Sequence, residues 1–292
     1  MSMVILSIII LSYNTKDLTI QCAESVAKQY KKELEEKNLE IIVVDNNSKD
    51  DSVSQILNLK SEISNLKVVL NKKNVGFARG CNIGAKAAEG KYILFLNSDT
   101  QVEDNGFLSM VEFLEKNPNV AILGGKLHSA DGSAQPSCGK FYDLFNLVIM
   151  LLGLERLGFL RSSPNKIQKV DWVSGACMMV KGDVFKKLAG FDEKLFMYME
   201  DMEICYRAKK LGFSTYFYPN LKLGHQSLGS SNRTFAIVNI YKGILHFYSK
   251  HRSYFEYMIA KTLLIAKAAI LITIGVLTFN STLRDRYKKA VS

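Results

Sequence analysis

The chain has 292 residues, 48% of them hydrophobic and 23% charged, with 38 Lys and Arg against 28 Asp and Glu for a net charge of +10. This composition excludes a disordered or low-complexity protein and suits one large α/β domain with appendages, or two small domains. The basic excess favours polyanionic partners; lacking an RNP or zinc-finger signature, the chain is read as meeting lipid headgroups or phosphorylated substrates rather than nucleic acid.

Val4 to Leu11 reads as a first buried strand. The apolar start from Met1 to Leu11 is too short to span a membrane and lacks the basic flank and cleavage site of an export signal. A helix is expected from about Asp17 to Glu36, then a second strand from Glu40 to Val44 ending in Asp45-Asn46-Asn47-Ser48. Leu66 to Leu70 is a third strand, followed by Asn74-Val75-Gly76-Phe77-Ala78-Arg79-Gly80-Cys81-Asn82 and a helix to Glu89. Tyr92 to Leu96 is a fourth, stopping at Asn97-Ser98-Asp99-Thr100, and Val120 to Gly124 adds a fifth. Strands alternating with helices, each strand closed by polar residues, predict a Rossmann-like, mainly parallel sheet. Ligands bind at the carboxyl edge of such sheets, where Asp45 and Asp99 emerge.

The pattern changes after Gly139. Phe141 to Leu152 is a greasy run that suits either a core helix or a membrane-facing insertion. Strand character returns over Val170 to Val180, where Trp172, Ser174 and Gly175 are candidates for an acceptor pocket or for core filling. A helix from Asp183 precedes Phe196-Met197-Tyr198-Met199-Glu200-Asp201-Met202-Glu203. Two adjacent carboxylates at a helix start suit helix capping, or a general base for an acceptor hydroxyl. His225 follows a β-rich stretch; with Asp99 it makes a mixed nitrogen and oxygen pair suited to Mn²⁺, while a hard oxygen ligand alone suits Mg²⁺ or Mn²⁺. From Arg233 onward the pattern is helical. Met258 to Phe279 is nearly all apolar but carries Lys261 and Lys267, so the expectation is a helix lying in an interface with its lysines snorkelling. Arg284, Arg286, Lys288 and Lys289 add attraction to anionic lipid. The five cysteines form no C-x-x-C pair and read as free thiols in a reducing compartment.

Five ordered blocks carry a resemblance: Ser12-Tyr13-Asn14, Val43 to Ser48, Asn74 to Asn82, Leu96 to Thr100, and Met197 to Arg207 with Glu200, Asp201, Glu203 and Cys205 between. Over about Ser7 to Gly229 the chain resembles the inverting, GT-A-fold family 2 glycosyltransferases, and among them the rhamnosyltransferase-like branch. The resemblance implies a catalytic domain over residues 1–232, with a nucleotide-sugar half at 1–125 and an acceptor half at 126–232, and a helical, membrane-associating extension at 233–292. It implies nucleotide-sugar contacts from Ser12, Tyr13, Asn14, Asp45, Asn46, Phe77, Gly80, Asn82, Asn97, Ser98 and Asp99, and a divalent ion on Asp99 and His225. Asp201 is implied as catalytic base with Glu200 beside it, and Trp172, Ser174, Gly175 and Arg207 are expected to meet the acceptor. The family's D-x-D motif is here Asn97-Ser98-Asp99, with one carboxylate.

The expected activity is transfer of a sugar from a nucleotide-diphosphate donor, with dTDP-rhamnose as the donor suggested, to a hydroxyl of a glycan or lipid-linked glycan precursor on the cytoplasmic face of the membrane. Self-association stays open. The rival is a non-catalytic nucleotide-sugar-binding subunit, against which the intact Asp99 and Glu200-Asp201 pair speaks. A nucleotidyltransferase would need a glycine-rich, basic loop after the first strand, which Ser12-Tyr13-Asn14 is not.

Overall fold

The computed structural model describes residues 4–226 and 232–291; the end of the resemblance at Gly229 lies outside the described residues. The amino-terminal half runs β1 (Leu6–Ser12), α1 (Lys16–Gln29), α2 (Lys31–Glu35), β2 (Leu39–Asp45), α3 (Ser52–Glu62), β3 (Leu66–Leu70), α4 (Phe77–Ala87), β4 (Tyr92–Asn97), β5 (Thr100–Val102), α5 (Gly106–Lys116) and β6 (Val120–Gly125). Short strands follow: β7 (Leu127–His128), β8 (Ala134–Gln135) and β9 (Cys138–Gly139), then α6 (Leu144–Leu151), β10 (Arg161–Ser162), β11 (Gln168–Val170), β12 (Trp172–Val173) and β13 (Cys177–Lys181). The chain continues through α7 (Gly182–Lys187), α8 (Glu200–Lys210), β14 (Ser214–Tyr218), β15 (Leu223–His225), α9 (Arg233–His251), α10 (Tyr254–Leu277) and α11 (Ser281–Val291).

The central sheet has the order β11-β14-β6-β13-β4-β1-β2-β3. Strands β1 to β4 pair in parallel, so Ser12 stands beside Asp45, and Leu11 beside Asn97, along one carboxyl edge. Alternate residues feed opposite layers. Ile9, Ile42, Val44 and Phe95 pack with α4, α7, α8 and α9, whereas Ile8, Ile10, Ile41 and Leu94 pack with α1, α3 and α5. The sheet is mixed rather than wholly parallel, because β13 inserts antiparallel between β4 and β6. The run expected at Val170 to Val180 is three short strands that serve different sheets, and Ser174 and Gly175 occupy the turn between the last two.

The first long helix breaks at Tyr30, and the cause is tertiary. Its ring stacks on Phe107 at 5.5 Å and its hydroxyl accepts from the Phe107 N–H at 2.9 Å, which holds the residue out of helical geometry. At the other end, α9 buries Tyr241, Ile244, Phe247 and Tyr248 in the same core as the sheet, so the boundary at 232/233 does not separate two cores. Helices α10 and α11 fold back against α9.

Candidate active site

The first cavity, of about 350 Å³, lies over the carboxyl edge. Of the residues implied to meet the nucleotide sugar, Tyr13, Asn46, Phe77, Asn97, Ser98 and Asp99 line it, joined by Thr15, Leu18, Asn74, Phe196, Met197 and Phe235. Asn46 ties the floor together: its amide donates to Asn74 Oδ1 at 2.9 Å, and its Oδ1 accepts from the Val75 N–H at 3.1 Å. Gly76 has φ +84°, and a Cβ there would meet the Phe196 carbonyl at 2.4 Å, so only glycine lets the Asn74 loop dock against the Phe196 loop. The neighbouring Phe77 N–H donates to that same carbonyl at 2.6 Å.

Asp99, which lines this cavity, meets His225. Antiparallel pairing of β5 with β15 sets His225 opposite Thr100, and the Gln226 N–H donates to the Asp99 carbonyl. The imidazole Nε2 stands 3.2 Å from Asp99 Oδ1. Gln135 donates its amide to the His225 carbonyl at 2.8 Å and sets its Oε1 2.7 Å from Nδ1, an arrangement that directs Nε2 toward Asp99. Two adjacent ligands of an octahedral ion, each at about 2.1 Å, stand about 3 Å apart, so the pair fits a divalent cation. Among the described residues no third His, Cys, Asp or Glu joins them. Such an ion would complete its shell from diphosphate oxygens and water.

A second, smaller cavity of about 180 Å³ is lined by Trp172, Ser174, Gly175, Glu200 and Asp201, with Tyr142 and Arg161. It shares Phe77, Asn97 and Met197 with the first. Asp201 opens the first turn of α8, where its Oδ2 accepts from the Gly175 N–H at 3.2 Å and its Oδ1 from the Met202 N–H at 2.7 Å. Burial raises its pKa above the ordinary aspartate value despite those N–H donors and the charge of Arg161. Glu200 is 5% exposed and its Oε2 has no partner among the described residues. Burial, then the neighbouring Asp201 charge, pushes its pKa well up. The turn before them is strained: Tyr198 and Met199 adopt φ of +69° and +73°, a conformation rare for such side chains and concentrated at functional sites.

Helix α8 is held by α9. A carboxylate on α8, Glu203, is fully buried and accepts from Arg207 Nε at 2.8 and 2.9 Å and from Lys250 Nζ at 2.8 Å, with His251 Nε2 at 2.9 Å. Burial works to raise its pKa, but His251, Arg207 and Lys250 outweigh it and hold the group down at about 2.

A model of Glycosyl transferase family 2 matches residues 7–189, more than half of the chain. The chain belongs to that family. Over 223 residues, 68% of this chain and 70% of the relative, the transferase is 23% identical to the N-acetylglucosaminyl-diphospho-decaprenol L-rhamnosyltransferase of Mycobacterium tuberculosis. It is 28% identical over 169 residues to the rhamnosyltransferase WbbL of Escherichia coli, covering 55% of this chain and 64% of that one. Its fold is that of the Pyrobaculum calidifontis mannosyltransferase PcManGT, solved with GDP-Man and Mn²⁺: the TM-score is 0.59 at 16% identity, over 98% of this chain and 85% of that chain. The GT-A fold expected from the sequence is thereby shown.

Several expected site residues of the transferase stand elsewhere. Arg207 does not reach the Asp201 cavity: besides Glu203, its guanidinium donates to the carbonyls of Leu188 and Gly190, so it braces α8. Asn82 is buried and exchanges hydrogen bonds with the Phe191 backbone, both at 2.9 Å. Gly80 serves close packing of α4 on β1, since a Cβ there would meet Leu11 at 2.6 Å. Ser12 lies beneath the first cavity, accepting from Thr19 Oγ1 at 2.9 Å, and Asn14 joins the neighbouring loop by accepting from the Lys49 N–H. Asp45 is also below the cavity; its Oδ2 accepts from the Ser48 N–H, and its buried Oδ1 has no partner. Sequence reasoning missed Arg161, Tyr142 and Phe235. Each sits in a segment whose local pattern says nothing of the catalytic edge it reaches.

Proposed function

We propose that this transferase moves a sugar, with rhamnose from dTDP-rhamnose as the leading donor, onto a hydroxyl of a lipid-linked surface-glycan precursor with inversion at the anomeric carbon. One observation carries the reading: the cavity lined by Asp99, whose carboxylate meets His225, and the cavity lined by Asp201 share a wall of Phe77, Asn97 and Met197. A donor diphosphate at Asp99 and an acceptor hydroxyl at Asp201 then approach the anomeric carbon from opposite sides. Asp201, with a carboxylate whose proton affinity burial has raised, takes the hydroxyl proton as the oxygen attacks. The C–O bond to the diphosphate breaks in the same displacement, and the configuration inverts. Asp99 and His225 would hold Mn²⁺ or Mg²⁺, which when bound offsets charge on the departing diphosphate. Rhamnose and a diphospho-lipid acceptor are supported by the printed names of the relatives, one of which is an N-acetylglucosaminyl-diphospho-decaprenol L-rhamnosyltransferase.

The carboxy-terminal helices support attachment to an anionic leaflet. Helix α10 is long and apolar enough to cross a membrane by length and composition. It nevertheless buries Ala260, Leu264 and Ala268 against the protein along one stripe while exposing Phe255, Ile265, Ile270, Ile274 and Leu277, with exposed Phe279 just beyond its end. Helix α6, packed against α10, adds exposed Phe145, with Leu152 just beyond its end. The basic helix α11 lies against the same structure, so an apolar plate with cationic neighbours matches headgroups over acyl chains.

The test is nucleoside-diphosphate release from dTDP-rhamnose and a panel of UDP and GDP sugars with Mn²⁺. Release from at least one donor is expected, and Asp201→Asn should lower turnover on the order of a hundredfold while nucleotide binding persists. No release from any donor, or normal turnover in that variant, overturns the reading.

A further inference from the structure

Arg161 is the cation that the chemistry above leaves without a task. It lies in a three-stranded sheet of order β10-β9-β12, where Arg161 pairs with Gly139 and Gly139 pairs with Trp172. The middle position lacks a side chain, and a Cβ there would stand 3.1 Å from the indole. The Arg161 guanidinium therefore reaches across Gly139 and lies over the Trp172 ring, 5.3 Å from its centroid. The ring is itself fixed, since Nε1 donates to the Lys140 carbonyl at 2.9 Å. Both side chains line the Asp201 cavity.

The guanidinium is placed but poorly satisfied. Of its five N–H donors, Nη2 makes a long 3.3 Å bond to the Pro136 carbonyl, and Nε is shut off from solvent without a partner. No ion pair holds it among the described residues. Asp201, on the same cavity, spends its oxygens on the Gly175 and Met202 N–H groups. The residue is half-buried, so its remaining Nη donors stay open to a ligand, and its planar fork matches phosphoryl oxygens.

We propose that Arg161, stacked on Trp172, binds a phosphoryl group attached to the acceptor sugar, so that the acceptor is recognised as a glycosyl phosphate or diphosphate. The inference rests on the transferase reading and adds to it the group that orients the acceptor. The phosphoryl group sits on Arg161, and the sugar spans from it to Asp201. The exposed apolar Phe145 and Leu152 of the α6 segment, which follows Tyr142 of the same cavity, suit the lipid beyond the phosphate.

Trp172 is the only tryptophan, so its fluorescence reports directly on this stack. The full chain is titrated in metal-free buffer with undecyl diphosphate, undecanol and inorganic pyrophosphate. Undecyl diphosphate should give a saturable change, at least tenfold weaker in Arg161→Met and partly restored in Arg161→Lys, and a nucleoside diphosphate with Mn²⁺ should not displace it. Equal affinity of Arg161→Met and wild type, or displacement by the nucleotide, overturns the proposal. In wild-type protein, undecanol matching undecyl diphosphate overturns it as a mere lipid contact, and pyrophosphate binding as tightly overturns the acceptor assignment in favour of free phosphate. These arms need no variant to fold. Donor hydrolysis, measured separately, reports failure of the transferase reading, because binding at Arg161 requires no turnover.

Discussion

Glu203 is where helix α8 is most vulnerable to acid. Its carboxylate is fully buried and its pKa is held from an ordinary 4.5 down to about 2. At 1.36 kcal/mol per pKa unit, that difference is worth about 3 kcal/mol of folding stability. The sign follows from the depressed pKa: the contribution is complete above 4.5 and is lost as pH falls toward 2. Asp192, whose burial is likewise outweighed by hydrogen bonds from Lys250 and His246, is shifted down and acts in the same sense. Glu203→Gln removes the charge and leaves Arg207 and Lys250 facing each other in a confined site, which should cost about 3–5 kcal/mol. For a chain of this size that is a fall of roughly 6–12 °C in melting temperature. Thermal unfolding followed by far-UV circular dichroism from about pH 7 to about pH 3 measures both effects. The variant should start lower at neutral pH and show a shallower acid limb than wild type. A variant within about 1 kcal/mol of wild type at neutral pH, or parallel acid limbs, would refute the reasoning.

Glu200→Gln should leave turnover within a few-fold of wild type, because Asp201 is the proposed base and burial already disfavours the charged form of Glu200; a loss as large as that of Asp201→Asn in steady-state assays contradicts this. Since raised carboxyl pKa values make ionisation costly in the fold, that variant should also resist alkaline destabilisation better than wild type as pH rises above about 4.5, measured by thermal unfolding. Asp99→Ala should abolish the Mn²⁺ dependence of nucleoside-diphosphate binding in calorimetry, and equal affinity with and without Mn²⁺ in wild type would remove the metal site. Gly243→Ala should slow turnover and lower stability by about 1–3 kcal/mol, because the new Cβ meets Met199 at 2.7 Å and presses on the strained turn before Asp201. Changing Arg284, Arg286, Lys288 and Lys289 to Gln should weaken flotation with anionic liposomes by about 1 kcal/mol per residue and leave neutral liposomes unaffected; unchanged flotation excludes the electrostatic part of membrane attachment.

The apolar runs at Leu6–Ser12, Leu39–Asp45, Leu66–Leu70 and Tyr92–Asn97, each ending in polar residues, determine strands and a ligand-binding carboxyl edge without reference to the rest of the molecule. Alternation at period 2 also determines which residues face which layer, and the position of Asp201 ahead of a helical stretch determines its place in a first turn. What the pattern does not contain is the identity and direction of a neighbour. Cys177 to Val180 are buried on both faces, so the run reads the same whether it pairs parallel or antiparallel, and only the ladders to β4 and β6 decide. His225 comes to Asp99, and Arg161 to Trp172, through strand pairings between segments far apart in sequence. Asn82, Gly80 and Arg207 sit within site-like motifs, yet their polar groups or bare Cα satisfy the fold itself. Local chemistry encodes an element and its buried face, while a site assembled from several elements exists only once their backbone hydrogen bonds have chosen partners.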